Sequence, residues 1–471
     1  GGVGNFYFVV RDGASFEMSN STLTYCGYEH TDYRYTGLYL ECDASIEYST
    51  IDHCEQGIMA ENRTVTIKHT TIEHSSGYNL KGHKATMTID HCTFNATSGK
   101  SNVEFSDECT VTFTHNTVSY AAHNGIWADD SCDLTLTNNF IHNNTRSGLW
   151  INDSDVVCNT NTISDNGKTD APTWDESGHG FAGFHGDVTF KNNLVGYNFG
   201  HNFETTNCTA VFEDNTFYRS IMKCNVEFFE GSVVTAKNNY IDGAGHNCFW
   251  VRDGVTATIE NNIMKNSPHN GIWAGNGCTM IIRNNEIENC AESGIYSYNS
   301  TLTIENNEIT NCTWWGIQTE GCTVTQSGNS FTDVDLGEIS YQYFIKLKVK
   351  DKDDAAVSGA TVRIKDSGGN VLYTTTTDAN GETSDMLFTG FKQDAGGATT
   401  TPSYTVEVEK DGMSTSSVET FDQTETISMS LAAEEDGEDE DGDFTLMIII
   451  IVVIVIVVLV IAMVAMKKKK T

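Results

Sequence analysis

The sequence predicts an all-β chain whose first two thirds wind into a parallel β-helix, and three observations predict it. A repeat of about 22 residues runs through 1–335. Its clearest copies, VTATIENNIMKNSPHNGI at 255–272, CTMIIRNNEIENCAESGI at 278–295 and STLTIENNEITNCTWWGI at 300–317, each read as a short alternating strand, an Asn-rich turn, a second short strand and a closing Gly-Ile. The third observation is turn chemistry: 3 prolines in 471 residues, with Asn, Asp and Gly at the corners of the repeats. Strand-sized pieces at this period make each repeat one rung of a stack. Function is therefore expected on a ladder-like surface rather than in a globular pocket.

The rungs come first. The apolar residue two or three places after the Asn-rich turn marks each one: Leu23, Ile51, Ile72, Phe94, Val118, Ile141, Ile163, Val195, Phe217, Ile241, Met264, Ile287, Ile309 and Phe331. That predicts about 14 rungs, with two longer intervals that place loop insertions near 27–35 and 166–178. The rungs are too short for βαβ units, and no stretch of 1–330 sustains a helical period, which excludes a helical solenoid. Stacking at ~4.8 Å per rung gives a rod of roughly 65–70 Å. Asn138/Asn139, Asn192/Asn193, Asn238/Asn239, Asn261/Asn262, Asn284/Asn285 and Asn306/Asn307 recur at one point of the rung, where stacked amides are expected to hydrogen-bond up and down the stack.

The pattern IENNxIxNCxxxGI resembles the right-handed parallel β-helix repeat of pectate-lyase-like proteins, whose relatives include polysaccharide lyases, polygalacturonases, mannuronan epimerases, phage tailspikes and NosD-like surface proteins. The resemblance covers roughly 1–335 and implies a right-handed coil. It does not imply one function, because this fold hosts enzymes, lectins and adhesins alike. VRDG at 10–13 matches VRDG at 251–254, partway round a coil, and no Met or signal peptide opens the chain. A processed or truncated form is expected.

Residues 341–431 change character, with longer alternating strands such as YFIKLKVKD and SYTVEVEK. AVSGATVRIKD followed by TTDANGET resembles carboxypeptidase-regulatory-like domains, although Ala356 stands before Val357 where that family has Gly-x-Pro. The resemblance implies a small Ig-like β-sandwich, expected to act as a spacer. Residues 432–443 form an acidic, self-repelling linker. Phe444–Met466 carries 23 residues without a charge, enough to span a bilayer as one transmembrane helix, and the basic tail 467–471 sets its cytoplasmic end. No LPxTG-like or PGF-like sorting motif precedes it, so retained anchoring, with residues before it outside the cell, is expected.

The net charge of −36, from 28 basic and 64 acidic residues, argues against nucleic acid and anionic polymers as partners. No cofactor is indicated; the acidic run is compatible with Ca2+, but it lacks the spacing of a dedicated loop. The 14 cysteines include no CxxC, and no metal centre is predicted. The NosD-like resemblance implies copper handling, for which His123, His179, His201, His246 and His269 lack tight ligand spacing. Cys26/Cys54, Cys109/Cys132, Cys224/Cys248 and Cys290/Cys312 fall at equivalent places in neighbouring rungs, either as stacked thiols or as disulfides. Sequons mark Asn20, Asn62, Asn95, Asn143, Asn152, Asn207, Asn299 and Asn311 as glycosylation candidates.

The Gly-Ile strand is the place to look for function. If Ile126 points inward, Trp127 points outward, and the same register predicts one outward column from Tyr39 to Gln318. It contains Trp127, Trp150, Glu204, Glu227, Trp250, Trp273 and Tyr296, with Trp174, Asp175 and Glu176 on the insertion beside its middle. Aromatic faces stack on sugar rings and carboxylates bond hydroxyls, so the column reads as a glycan groove. The alternatives are packing or core, which a shift of one residue would produce, and a protein interface. Glu204 and Glu227 on adjacent rungs, ~5 Å apart, could also serve as acid and nucleophile of a retaining glycosidase, with His201 beside them. Clustered aspartates like those of polygalacturonases are absent, as is a lyase-like Lys/Arg base pairing, although Arg252 is near. The expectation is a membrane-anchored extracellular β-helix that binds glycans or contacts other surface proteins. The alternative is a surface polysaccharide hydrolase or lyase using Glu204 and Glu227.

Overall fold

In the computed structural model, residues 6–167 and 178–431 are described. The expected linker, transmembrane segment and basic tail, and the insertion residues Trp174, Asp175 and Glu176, lie outside them. The described residues contain no α-helix, only a single 3-10 turn at Tyr33–Tyr35 within the first expected insertion. No helix among them is long and apolar enough to cross a membrane.

Each coil contributes three short strands, one to each of three parallel sheets. The second and third sheets hold 14 strands each, running from Phe16–Ser19 to Thr323–Ser327 and from Thr22–Thr24 to Ser330–Val334, which makes a solenoid of about thirteen turns. Strands of the second sheet alternate strictly. In Thr256–Glu260, Ala257 and Ile259 are buried while the residues between face out. The anchors pair rung to rung in one register, Ile287 opposite Ile309 and Ile309 opposite Phe331. All are fully buried except Leu23 and Phe331, which belong to the first and last coils and lack a neighbour on one side. The Gly-Ile motif has a steric cause. A Cβ on Gly271 or Gly294 would meet the next coil's carbonyl oxygen at 2.7 or 2.9 Å, so only glycine lets the coils stack there.

The Asn pairs divide their work. The first member of each pair, such as Asn238 or Asn284, turns the corner at positive φ, 54° and 55° respectively, where Asn is tolerated. The second joins a buried ladder from Asn116 through Asn139, Asn161, Asn193, Asn215, Asn239, Asn262, Asn285 and Asn307 to Asn329. In it each Nδ2 donates to the next Oδ1, for example at 2.8 Å from Asn239 to Asn262. A second interior chain of amides links Asn79, Asn102, Asn144, Asn166, Asn198, Asn202 and Asn225. Buried amides satisfied this way cost little, whereas losing one partner costs about 1–3 kcal/mol.

All 14 cysteines are free and buried. Cys290 and Cys312 pair in register. Cys224 and Cys248 do not: Val226 lies opposite Phe249, which puts Cys224 opposite Asn247, whose amide approaches its sulfur at 3.9 Å. The equivalence expected from spacing fails by one residue.

Two compact units divide the chain. The first joins the solenoid to Ser384–Tyr404 and Val418–Ile427. Within it, the strand that begins at Gly337 pairs in parallel with Trp315–Glu320 and, through Ile339–Ile345, antiparallel with Met386–Gln393. The second comprises Leu347–Thr383, Thr405–Ser417 and the segment from Ser428. Of the expected sandwich the structure shows one four-stranded antiparallel sheet, in the order Val371–Thr376, Thr361–Lys365, Tyr404–Lys410 and Met413–Glu419, with Val362, Ile364, Val406 and Val408 buried.

Candidate functional site

The first sheet aligns the predicted column residue for residue. Trp127 pairs with Trp150, Trp150 with Ala182, Ala182 with Glu204, Glu204 with Glu227, Glu227 with Trp250, Trp250 with Trp273 and Trp273 with Tyr296. The flanking residues point inward, as with Ile126, Leu149, Phe203, Val226, Phe249 and Ile272, all of which are core. The four tryptophans and Tyr296 are half-buried, so they are neither core nor free. Their rings touch along the column: 6.2 Å between Trp127 and Trp150, 5.9 Å between Trp250 and Trp273, and 6.3 Å between Trp273 and Tyr296. Facing away from the core does not by itself mean exposure. Tyr39, Met59, Ala182 and Glu227 share the outward register yet are buried.

The middle of the column is a buried polar cluster. Glu227, only 3% exposed, accepts from Arg252 Nε at 2.7 Å, and His201 Nε2 stands 2.7 Å from its other oxygen. Arg252 lies over the rings of Phe229 and Trp250, at 3.9 and 4.6 Å. His179 stacks parallel to His201 with ring centroids 5.4 Å apart, and the His201 backbone N–H donates to His179 Nδ1 at 3.1 Å. Glu204 Oε2 lies 3.3 Å from that same nitrogen. Beneath the cluster the core is aromatic, with Phe181, Phe190, Phe203 and Phe212 in mutual contact.

This setting drives the two carboxyls apart. Burial opposes the charge on both. For Glu204 burial dominates and its pKa is raised, favouring the protonated acid. For Glu227 burial is the largest single influence, but His201 and Arg252 together overcome it and bring the pKa down to about 2. Burial and the neighbouring His201 hold His179 neutral. Two polar atoms in the cluster have no partner, His201 Nδ1 and Trp250 Nε1.

A second polar region adjoins the Trp127 end. A cleft of about 350 Å³ is lined by Tyr78, Lys100, Glu104, His123, Trp127 and Asp129. Lys81 Nζ holds Glu104 at 2.5 Å, and Trp127 Nε1 donates to Asp129 at 3.3 Å. Burial, followed by the neighbouring Asp130, raises Asp129 to about 6. Asp129 lies two residues after Trp127 on the same coil, whereas Lys100 and Tyr78 carry no signal in the sequence and reach Trp127 only by coil stacking. Among the sequon asparagines, Asn20, Asn62, Asn207, Asn299 and Asn311 are exposed and Asn95, Asn143 and Asn152 are half-buried.

A family profile described as "Right handed beta helix region" matches the chain in three overlapping stretches, residues 36–169, 101–221 and 205–381. No curated protein matches. Among solved structures, the chain is similar to the A-module of mannuronan C-5 epimerase AlgE4 of Azotobacter vinelandii at 14% identity, covering 63% of this chain and 88% of that one, with a TM-score of 0.37. It is also similar to the surface adhesin PfbA of Streptococcus pneumoniae at 13% identity, covering 81% and 88%, with a TM-score of 0.29. The Dettilon tailspike protein matches at 13% identity, covering 79% and 72%, with a TM-score of 0.36. Similarity at this level carries no argument about what the column does.

Proposed function

The chain belongs to the right-handed β-helix family, and from the site on its first sheet we propose that it is a cell-surface protein that binds an extended glycan along the aromatic column. The observation that carries this reading is the arrangement of four half-buried tryptophans. They form two in-register pairs on one sheet, on either side of a polar cluster with unpartnered buried atoms. Trp faces supply apolar contact area for sugar rings, while the carboxyls, Arg252 and the free His201 and Trp250 nitrogens supply hydrogen-bonding groups. The net charge of −36 favours a neutral glycan over a polyanion. Anchoring is part of the proposal. The uncharged run Phe444–Met466 and the lysines after it support a single pass with the N-terminal part outside, the acidic linker serving as spacer. Another surface protein on the same face is the competing partner.

The test is binding of the full chain to a panel of neutral and acidic polysaccharides, compared with Trp250→Ala/Trp273→Ala and Trp127→Ala/Trp150→Ala. Tenfold or greater weakening in both folded variants supports the groove. Undiminished binding, or no glycan retained at all, overturns it.

One observation favours a second reading. Glu204, pushed towards the protonated acid by burial, stands one coil from Glu227, which His201 and Arg252 hold towards the carboxylate. Glu227 is tied to Arg252 and His201 and nearly inaccessible, so in this reading it positions those groups rather than attacking a sugar. Release of reducing ends or unsaturated product from the panel, abolished by Glu204→Gln, would put catalysis ahead of simple binding.

A further inference from the structure

Five coil corners in the N-terminal third carry histidine: His53, His69, His74, His91 and His115, all at positive φ between 46° and 55°. Corners of later coils at the same turns carry Asn, as at Asn266, Asn289 and Asn311 for the third sheet and at Asn238, Asn261, Asn284 and Asn306 for the second. The backbone accepts either residue there, so the turn does not explain the choice of imidazole.

Stacking of consecutive coils brings these side chains together in two places. After strands of the third sheet, His53 and His74 stack with ring centroids 4.8 Å apart. Their Nδ1 atoms lie 2.7 and 2.9 Å from one oxygen, Asp52 Oδ1. After strands of the second sheet, His91 and His115 stack at 4.5 Å, with Nδ1 atoms 3.0 and 3.1 Å from the two oxygens of Asp90. In both, two imidazoles from adjacent coils converge through the same ring nitrogen on one carboxylate, and all three ligand atoms lie within 4.8 Å of one another. His69 stands in the same stack as His91 but follows Lys68 instead of an acid, and it makes no such triad. The second triad is also braced. Thr114 Oγ1 donates to Asp90 at 2.8 Å, and the Asn138 amide meets His115 Nε2 at 3.2 Å, which fixes that ring by its far nitrogen.

We propose that these two corners, Asp52–His53–His74 and Asp90–His91–His115, are binding sites for a divalent transition-metal ion of the zinc and copper type. Two imidazoles and a carboxylate are the borderline ligand set such ions select over Mg2+ or Ca2+. The ion takes the place of the hydrogen bonds between each carboxylate and its imidazoles, each ring carrying its proton on Nε2 when Nδ1 binds the ion. Three protein ligands on a half-exposed corner leave a coordination position open to water. The sites owe nothing to the glycan-binding reading and lie on other sheets' corners.

The experiment is equilibrium dialysis of the full chain against Zn2+, with EPR of the Cu2+ form. Two ions per chain are expected. His53→Asn/His74→Asn should remove one, His91→Asn/His115→Asn the other, and the fourfold variant both, with melting unchanged because Asn suits these corners. The Cu2+ spectrum should show coupling to two imidazole nitrogens per ion, which separates these sites from cysteine sulfur or the acidic run. Wild-type stoichiometry in the fourfold variant, or a Cu2+ spectrum without nitrogen coupling, overturns the proposal. Loss of a single ion confined to one pair overturns it for the other corner.

Discussion

The two tryptophan pairs occupy one column of one sheet, yet their surroundings are opposite. Trp127 borders an open cleft whose Lys81–Glu104 pair and Asp129 keep contact with water. Trp250 borders a dry cluster in which Glu227 is locked between Arg252 and His201 over an aromatic core. The register is identical. What differs is the coil on either side and how completely its side chains cover the face. Direction from a sheet sets which side chains are outward; neighbouring coils set which of those are wet.

The sharpest way to break this comparison is to remove the central carboxylate. Glu227→Ala should destabilise the chain by about 3–4 kcal/mol, because it strands a buried imidazole and an Arg. Glu104→Ala should cost only about 1 kcal/mol, because Lys81 can turn to solvent. Equal losses in urea melts would show that the two regions do not differ.

Acid should separate them next. Glu227 has a folded pKa of about 2, below its unfolded value, so its stabilisation is full above about pH 4.5 and is lost as pH falls towards 2. Thermal melts from pH 6 to 2 should fall across that window in the wild type and flatten in Glu227→Gln. A profile unchanged by the substitution would contradict the assignment.

The aromatic pairs should differ less. Trp250→Ala/Trp273→Ala should cost about 2–3 kcal/mol, below the range for fully buried rings, since Trp250 packs on His201, His246 and Arg252. Trp127→Ala/Trp150→Ala should cost about 1–2 kcal/mol. A reversed order in the melting data would mean that the Trp127 pair is the better packed.

The smallest effect has the opposite sign of pH dependence. Asp129 has a folded pKa of about 6, above its unfolded value, so its charge opposes folding above pH 6 and that penalty disappears as pH falls towards 4. Asp129→Asn should therefore be more stable than the wild type at pH 8, by under about 1 kcal/mol after solvent screening, and equal to it near pH 4. A stability gap that does not close with acid would argue against the raised pKa.

Much of this was legible in the residues. The period located every anchor, and the step from Ile126 to Trp127 was enough to order the column from Tyr39 to Gln318, because parallel strands in register copy one coil's orientation to the next. The interior Asn role was readable from its recurrence. The chain of amides from Asn79 to Asn225 was not, since its members sit at irregular spacings that only folding aligns. Cys224 and Cys248 misled because they lie 24 residues apart while the register between their coils is 23, Val226 opposite Phe249, so Cys248 takes the place that Gly271 has in the next coil and Cys224 stands one position before it.

Sequence alone therefore determined the solenoid, its rungs and the outward column, because these follow from period-2 alternation repeated at a fixed interval. Tertiary structure decided that Glu227 is buried yet held towards its charged form by His201 and Arg252, while burial pushes Glu204 towards the protonated acid. It also decided that Tyr78 and Lys100 join Trp127 at a cleft and that histidines from separate rungs meet over Asp52 and Asp90. Burial, protonation and convergence depend on what the adjacent coil places within a few ångströms, and that distance is set by stacking, not by separation along the chain.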